Sequence, residues 1–252
     1  MGLVHSPLIV TDGLFLALDA KNVKSYPSSG GSTWYNLTKD GINGTISGAT
    51  HNSSGYFSFN GSSNYIATGA ASDWAFLHNG ASDFTIEAWV YFSFSANYAI
   101  CATGGSSAET GMYFGQLSTS NYLNYQIFKG QSGAIANFGS STNGMNKGKW
   151  NYAVFTFDSS SKTGTYYVNG VSSGSTSNSS YGYSSSNSNY PLQIGRYVFN
   201  NGSSTGGYYN GRHSVVNIYK DKALSASEIT QNFNAHRWRF GIWLQIYLYL
   251  VL

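Results

Sequence analysis

The sequence predicts an all-β domain, a sandwich or barrel of short strands. Three observations carry that expectation. Apolar residues recur with period two along most of the chain, turn signals interrupt them about every 8–12 residues, and helical patterning is nearly absent. In FTIEAWVYF (84–92), Phe84, Ile86, Ala88, Val90 and Phe92 fall on one face of a strand, and Thr85, Glu87, Trp89 and Tyr91 on the other.

KWNYAVFTFD (149–158) and TGTYYVNGV (163–171) read as two more strands, joined by the loop DSSSKTG. Asn169-Gly170 marks a tight turn, because a type I′ hairpin needs positive φ at both central residues. The same pattern predicts strands at 13–19, 56–60, 64–68, 98–103, 111–117, 122–129, 134–139, 191–196 and 211–219. One helix is well marked, in ALSASEITQNFNAHR (223–237). Ser225 and Glu228 make a capping box, Leu224 and Ile229 a hydrophobic staple, and Ile229 and Phe233 an apolar face. This helix is expected to close one end of the fold and to carry no chemistry.

A chain of 252 residues holds one large β domain or two small ones. SSGSTSNSSYGYSSSNSNY (172–190) and NNGSSTGGYYN (200–210) have linker-like composition. The strands on either side complete one pattern, so both stretches read as long loops of a single domain, where function often resides. Charged residues make up 9%, with 13 Lys+Arg against 10 Asp+Glu and no basic run, which argues against a nucleic-acid partner. Tyr (21) and Gly (30) are abundant, and Tyr with Ser and Asn makes a polar, nearly uncharged surface suited to adaptable contact. The single cysteine, Cys101, excludes an intrachain disulfide, and its setting YAICATG predicts a buried thiol. The first twenty residues lack a basic segment and carry Asp12 and Asp19, so they do not read as a secretion signal. No apolar run reaches the roughly 20 residues of a membrane span. The expected site of synthesis is a cytoplasm, with any exit by another route.

Several segments, in order, are familiar: IVTDGLFLALDAKNVKSYPSSGGSTWYNLT, INGTISGATHNSSGYFSFNGSSNYI, FTIEAWV, KWNYAVFTFD, YYVNG, PLQIGR and YNGRHSVVNIYKDKALSASEITQNFNAHRWRFG. Together, over about residues 9 to 241, they resemble the laminin-G-like branch of the concanavalin A-like lectin/glucanase superfamily. The nearest look is of versions in structural proteins of tailed, especially marine, bacteriophages. The resemblance implies a two-sheet antiparallel jelly-roll sandwich over 1–241, with one short C-terminal helix. It also implies a non-enzymatic virion protein, a decoration, tail-tip or fibre-associated adhesion subunit displayed on the virion surface. Its partners would be other virion proteins, further copies of itself, and a cell-surface glycan. A stand-alone lectin domain is the alternative, and a glycoside hydrolase a weaker one.

Relatives often read F-D-G-x-x-D-Y where this chain has FSFNGSSNY, and in some branches those acids help to hold Ca²⁺. Here Asn60 and Asn64 stand in both places. Calcium takes six to eight oxygens with several carboxylates among them. The pair is therefore expected to serve a turn, with no metal and no other cofactor; a calcium ion held by Asn60 and Asn64 is the alternative. Superfamily glucanases set their acids close together on one strand, and glycoside hydrolysis usually needs two carboxyl groups roughly 5–10 Å apart. Here no two acids share a strand face at i, i+2. Glu87 stands alone on its strand, Glu109 lies in a Gly/Ser loop, and Glu228 caps the helix. No G-x-S-x-G or H-E-x-x-H occurs, and His5, His51, His78, His213 and His236 are dispersed. Catalytic residues are expected to be none.

A glycan site is expected in the two polar loops, at Tyr181, Tyr183, Tyr190, Asn200, Asn201, Tyr208 and Tyr209, whose rings and amides suit a neutral polysaccharide. Residues 242–252, IWLQIYLYLVL, depart from the relatives. Ile242, Leu244, Ile246, Leu248, Leu250 and Leu252 line one face of a strand, expected to pair with a neighbouring subunit as an assembly tail. An extra strand folded back on its own domain is the alternative.

Overall fold

The computed structural model describes residues 7–39, 41–94, 96, 98–105, 109–117, 120–130, 135–179, 183–184, 186–199 and 203–242. Two antiparallel sheets of eight strands each face one another. The first runs Val171–Ser177, Thr163–Val168, Trp150–Asp158, Phe84–Phe92, Asn210–Lys220, Tyr56–Asn60, Thr50–Asn52, with Leu14–Asp19 also pairing to Asn210–Lys220. The second runs Ile135–Ser140, Leu123–Lys129, Thr110–Gln116, Tyr98–Ala102, Leu192–Ile194, Tyr65–Thr68, Gly44–Ser47, Thr33–Trp34. A hairpin of Tyr197–Phe199 and Ser204–Gly206 stands apart from both. The result is an all-β sandwich with one short C-terminal helix, consistent with a jelly roll.

The strand face Phe84, Ile86, Ala88, Val90 and Phe92 does point into the sandwich, opposite Met112, Phe114, Leu123, Tyr125 and Ile127 of the second sheet. Aromatic rings join the layers: Phe155 stacks on Tyr125 with centroids 4.0 Å apart. Cys101 is buried here, as expected.

The other face of Phe84–Phe92 is also dry, which corrects the expected place of the helix. Ala226–His236 lies on the outer face of the first sheet and does not cap an end. Its Ile229 and Phe233 meet Trp89, Tyr152, Val154, Val215 and Tyr219 in a second apolar cluster. Trp89 is stacked by Phe233 at 5.6 Å and by Phe240 at 4.1 Å. The cap itself is as the sequence indicates: Glu228 N–H donates to Ser225 Oγ, and Ser225 N–H donates to Glu228 Oε2 at 2.8 Å.

Glu87 sits beneath this helix, 1% exposed. Its carboxylate accepts from Tyr152 O–H, from Asn217 Nδ2 at 2.7 Å and from Asn232 Nδ2 at 3.0 Å. Asn232 Oδ1 in turn accepts from Val10 N–H at 2.8 Å. Burial pushes the Glu87 carboxyl above its usual range, against the pull of those three donors.

All twelve expected strands are present, with bounds shifted by a few residues at most. The turn at Asn169-Gly170 has φ of 54° and 81°, and Val168 pairs with Val171 across it. The expected loop 172–190 begins instead as the edge strand Val171–Ser177, and the loop 200–210 contains the strand Ser204–Gly206. Serine and glycine do not announce strands, but a hairpin partner supplies the ladder bonds regardless. Of the tail, only Ile242 is described; it packs against the cluster under the helix, and its N–H donates to Arg237 O at 3.1 Å. Leu244, Ile246, Leu248, Leu250 and Leu252 lie outside the described residues. Among the described residues no helix is long and apolar enough to cross a membrane.

The stretch FSFNGSSNYI carries the chain from the first sheet to the second. Asn60 Oδ1 accepts from the N–H groups of Ser62, Ser63 and Asn64 at 3.0, 3.0 and 3.2 Å, and Asn64 Oδ1 accepts from Asn60 N–H at 3.0 Å. Gly61 sits at φ 75°. Both amide oxygens are turned toward donors, the arrangement of a turn. Asn60→Ala should therefore lower stability by about 1–2 kcal/mol. EDTA or added calcium should leave the melting temperature where it is, and a reproducible calcium-dependent rise would refute the turn role.

His213 is fully buried between Phe59 and Tyr209, whose ring centroids lie 4.8 and 4.4 Å away. Neither ring nitrogen has a hydrogen-bond partner. Burial lowers its pKa from 6.5 to about 3. The unfolded chain therefore takes up the proton first as pH falls. The neutral ring's contribution is complete above pH 6.5 and is lost below it, by about 1.4 kcal/mol per pH unit until the folded value is reached. Thermal melts at pH 7 and pH 5 should show the wild type losing more stability on acidification than His213→Leu; parallel losses would contradict this.

Candidate functional site

The first sheet spends its outer face on the helix. Among the described residues the second sheet's outer face is covered by the small hairpin, and the residues there follow from strand alternation. Because Met112 and Phe114 point inward, Tyr113 and Gly115 point out. Leu123, Tyr125 and Ile127 likewise leave Asn124, Gln126 and Phe128 outward. Ile66, Leu192 and Ile194 leave Tyr65 and Gln193 outward. Ala99, Ala102, Tyr113 and Phe128 form their own apolar cluster on this face, with Tyr197 of the hairpin packed against it.

A cavity of about 210 Å³ opens there, lined by Gly105, Tyr113, Leu117, Asn124, Gln126, Phe128 and Tyr197. Its rings are held. Tyr113 O–H donates to Tyr98 O at 3.0 Å, and Tyr197 meets Tyr113 edge-on at 5.8 Å. The Tyr197 ring lies so close over Gly105 and Gly207 that a Cβ at either would collide with it. Asn124 donates to Asn137 Oδ1 at 3.2 Å and to Gly139 O, while its own Oδ1 has no donor.

Across the face, about 14 Å away at three strand spacings, stands Tyr65. The Arg196 guanidinium lies flat on its ring, 3.3 Å from the centroid. Arg196 Nε donates to Gln193 Oε1 at 3.1 Å and Nη1 to Tyr208 Oη at 3.3 Å; Tyr208 O–H donates to Thr205 Oγ1 at 2.9 Å. Burial would raise the Tyr208 phenol, but the Thr205 bond and the Arg196 bond and charge hold it below the usual tyrosine value.

The expected site residues scatter relative to this face. Tyr208 belongs to it. Tyr190 is beside it, donating to Glu109 Oε1 at 2.8 Å, while Glu109 Oε2 accepts from Gly105 N–H at 3.1 Å. Tyr183 is elsewhere: its O–H donates to Asn178 O at 2.8 Å, and its ring packs over Gly80 and near Lys162. Tyr209 is a correction. It is fully buried, against Tyr98 and His213, because the neighbour that faces out is Tyr208. Tyr181, Asn200 and Asn201 lie outside the described residues. Tyr113, Tyr197, Asn124, Gln126, Tyr65 and Arg196 escaped the sequence reading. The one legible signal was LNYQIFK, where two amides alternate with three core residues.

The glutamates are each committed: Glu87 to its three donors, Glu109 to Tyr190 and Gly105, and Glu228 to the cap and to Lys222 at 2.9 Å. Asn60 and Asn64 serve their turn. Among the described residues no group of three or more His, Cys, Asp or Glu comes together.

Several solved structures share this architecture. The binding domain of Paraclostridial Mosquitocidal Protein 1 is 17% identical, with 88% of this chain and 52% of that chain covered and a TM-score of 0.61. Trypanosoma rangeli sialidase in complex with the inhibitor DANA is 15% identical, with 94% and 36% covered and a TM-score of 0.62. The binding domain of botulinum neurotoxin DC in complex with SialylT is 15% identical, with 89% and 52% covered and a TM-score of 0.57. This chain thus spans between a third and about half of the solved chains it matches, and at these identities the likeness is one of fold. No curated protein matches the chain. A family model does, over residues 59–230. With two stacked antiparallel sheets, the chain belongs to that family, Laminin_G_3, of the concanavalin A-like lectin/glucanases superfamily.

Proposed function

We propose that this domain is a non-catalytic glycan-binding module, with its site on the outer face of the second sheet. The observation that carries the reading is the cavity beside Tyr197. It combines fixed aromatic rings with the amide side chains of Asn124 and Gln126, and no carboxylate lines it, the chemistry that suits a sugar's apolar faces and hydroxyls. Rings already locked by hydrogen bonds and glycines lose little freedom on binding. A fold neighbour, the neurotoxin binding domain, is solved with SialylT bound, which agrees with the reading without deciding it. The non-catalytic part rests on the glutamates, none of which pairs with a second acid at hydrolytic spacing on one strand face.

Tyr197→Ala is the test. The hairpin bearing it is separate from both main sheets, so the fold should persist, with a melting temperature lowered only by the ring's lost packing on Tyr113 and Phe128. Binding to oligosaccharides on a glycan array should weaken by about tenfold or more, the equivalent of 1.4 kcal/mol. Unchanged binding by the folded variant would move the site elsewhere. Tyr209→Ala makes a poor probe, since emptying that buried position should cost about 3–5 kcal/mol of stability.

The biological setting we propose is a tailed-phage virion, where the module would act as a decoration or adhesion subunit. The ordered sequence resemblance alone supports it. Stoichiometric copurification with virions, together with lost host attachment in its absence, is the expected result; free protein absent from purified virions would refute it.

A further inference from the structure

Resting on the glycan-binding reading, we infer that the preferred ligand is an anionic saccharide, bearing a carboxylate or sulfate, bound with its acid group on Arg196. Arg196 is half-buried and held on three sides: by the Tyr65 ring beneath it, by Gln193 at Nε and by Tyr208 at Nη1. None of these partners is charged. Among the described residues no carboxylate lies within ion-pair distance of it, whereas Arg239 is bound at both Nη atoms by Asp19 at 2.9 Å; Arg212, between the Tyr56 and Tyr91 rings on the first sheet, also has no carboxylate but lacks the hydrogen bonds that orient Arg196. Nη2 of Arg196 has no acceptor among the described residues. A planar, pre-oriented guanidinium with unused donors is matched to a carboxylate or sulfate, which can take two parallel bonds from it.

The surroundings sharpen the assignment. The outward side chains between Arg196 and the cavity, Gln193, Ala99 and Ala102, are uncharged, and so is the cavity lining. The nearest acid on the cavity side is Glu109, buried behind Gly105, on whose other side lies the Tyr197 ring. The face is therefore uncharged along its length, with a cation at one end and Glu109 buried behind the other. An anionic sugar residue is drawn to the Tyr65–Tyr208 end, and the uncharged remainder of the chain lies toward Tyr197.

The experiment is an array of neutral, uronic-acid, sialylated and sulfated oligosaccharides, followed by titration of an oligogalacturonide and its fully methyl-esterified form. The wild type should favour the anionic members. Arg196→Gln should lose them by at least about tenfold, with little change for neutral ones. Arg196→Lys, which keeps the charge but not the fork, should fall between. Tyr208→Phe, which removes only the hydroxyl that orients Nη1, should weaken anion binding in a folded protein and guards against a misfolded Arg196 variant. Preference for sulfated over carboxylated members, or the reverse, identifies the acid. Neutral ligands that need Tyr197 but not Arg196 would overturn this inference and leave the glycan reading standing. Anionic ligands retained by Arg196→Gln would overturn it as well, and no binding by the wild type to any member would overturn both.

Discussion

The burial of Glu87 is the constraint from which much of the molecule follows. A carboxylate in the middle of a sheet, on the face away from the sandwich core, must either stay wet or be enclosed by donors. Here it is enclosed. Tyr152 and Asn217 come from the flanking strands and Asn232 from the helix, and Asn232 also fastens the N-terminal segment at Val10. One polar group thus ties together four parts of the chain that are far apart in sequence. The aromatic cover of Trp89, Phe233 and Phe240 keeps water out. A network of this kind gains little net stability over an apolar equivalent, but wrong packings of the helix would strand a buried charge.

The division of labour between the sheets follows. The helix covers the central part of the first sheet's outer face, while the outer face of the second carries the site proposed above. That face is built from small floor residues (Ala99, Ala102, Gly115) between rings and amides, and the hairpin lays Tyr197 and Arg196 over it. Tyr113, Asn124, Tyr197 and Arg196 are each already fastened by a neighbour. Binding then costs little ordering, which suits weak, repeated contacts with a polymer.

The sequence displayed the strands and the helix cap clearly, because period two and the Ser225–Glu228 box are local signals. It displayed the helix's docking surface too: Trp89, Tyr152 and Val154 alternate with core residues, so an apolar second face was legible as demand for a cover. The site was harder to see. Tyr-rich loops drew attention by composition, whereas the cavity draws single residues from separate strands, which only the topology brings together. Adjacent Tyr208 and Tyr209 illustrate the limit. Composition counts them alike, yet the pleat sends one to Arg196 and the other into the core.

The strand that composition hid has a consequence for behaviour in crowded solution. Val171–Ser177 is the outermost strand of its sheet, rich in serine, with Gly174 at φ 98° and an irregular register against its partner. Thr50–Asn52 and Thr33–Trp34, at other margins, are only three and two residues long. A foreign strand seeking unpaired amides would find these three margins short, kinked or poor in apolar side chains to hold it. The features that made these segments unreadable as strands are the same ones that discourage lateral stacking into fibrils. A domain carrying 17% aromatic residues and so little charge has few other defences against its own copies.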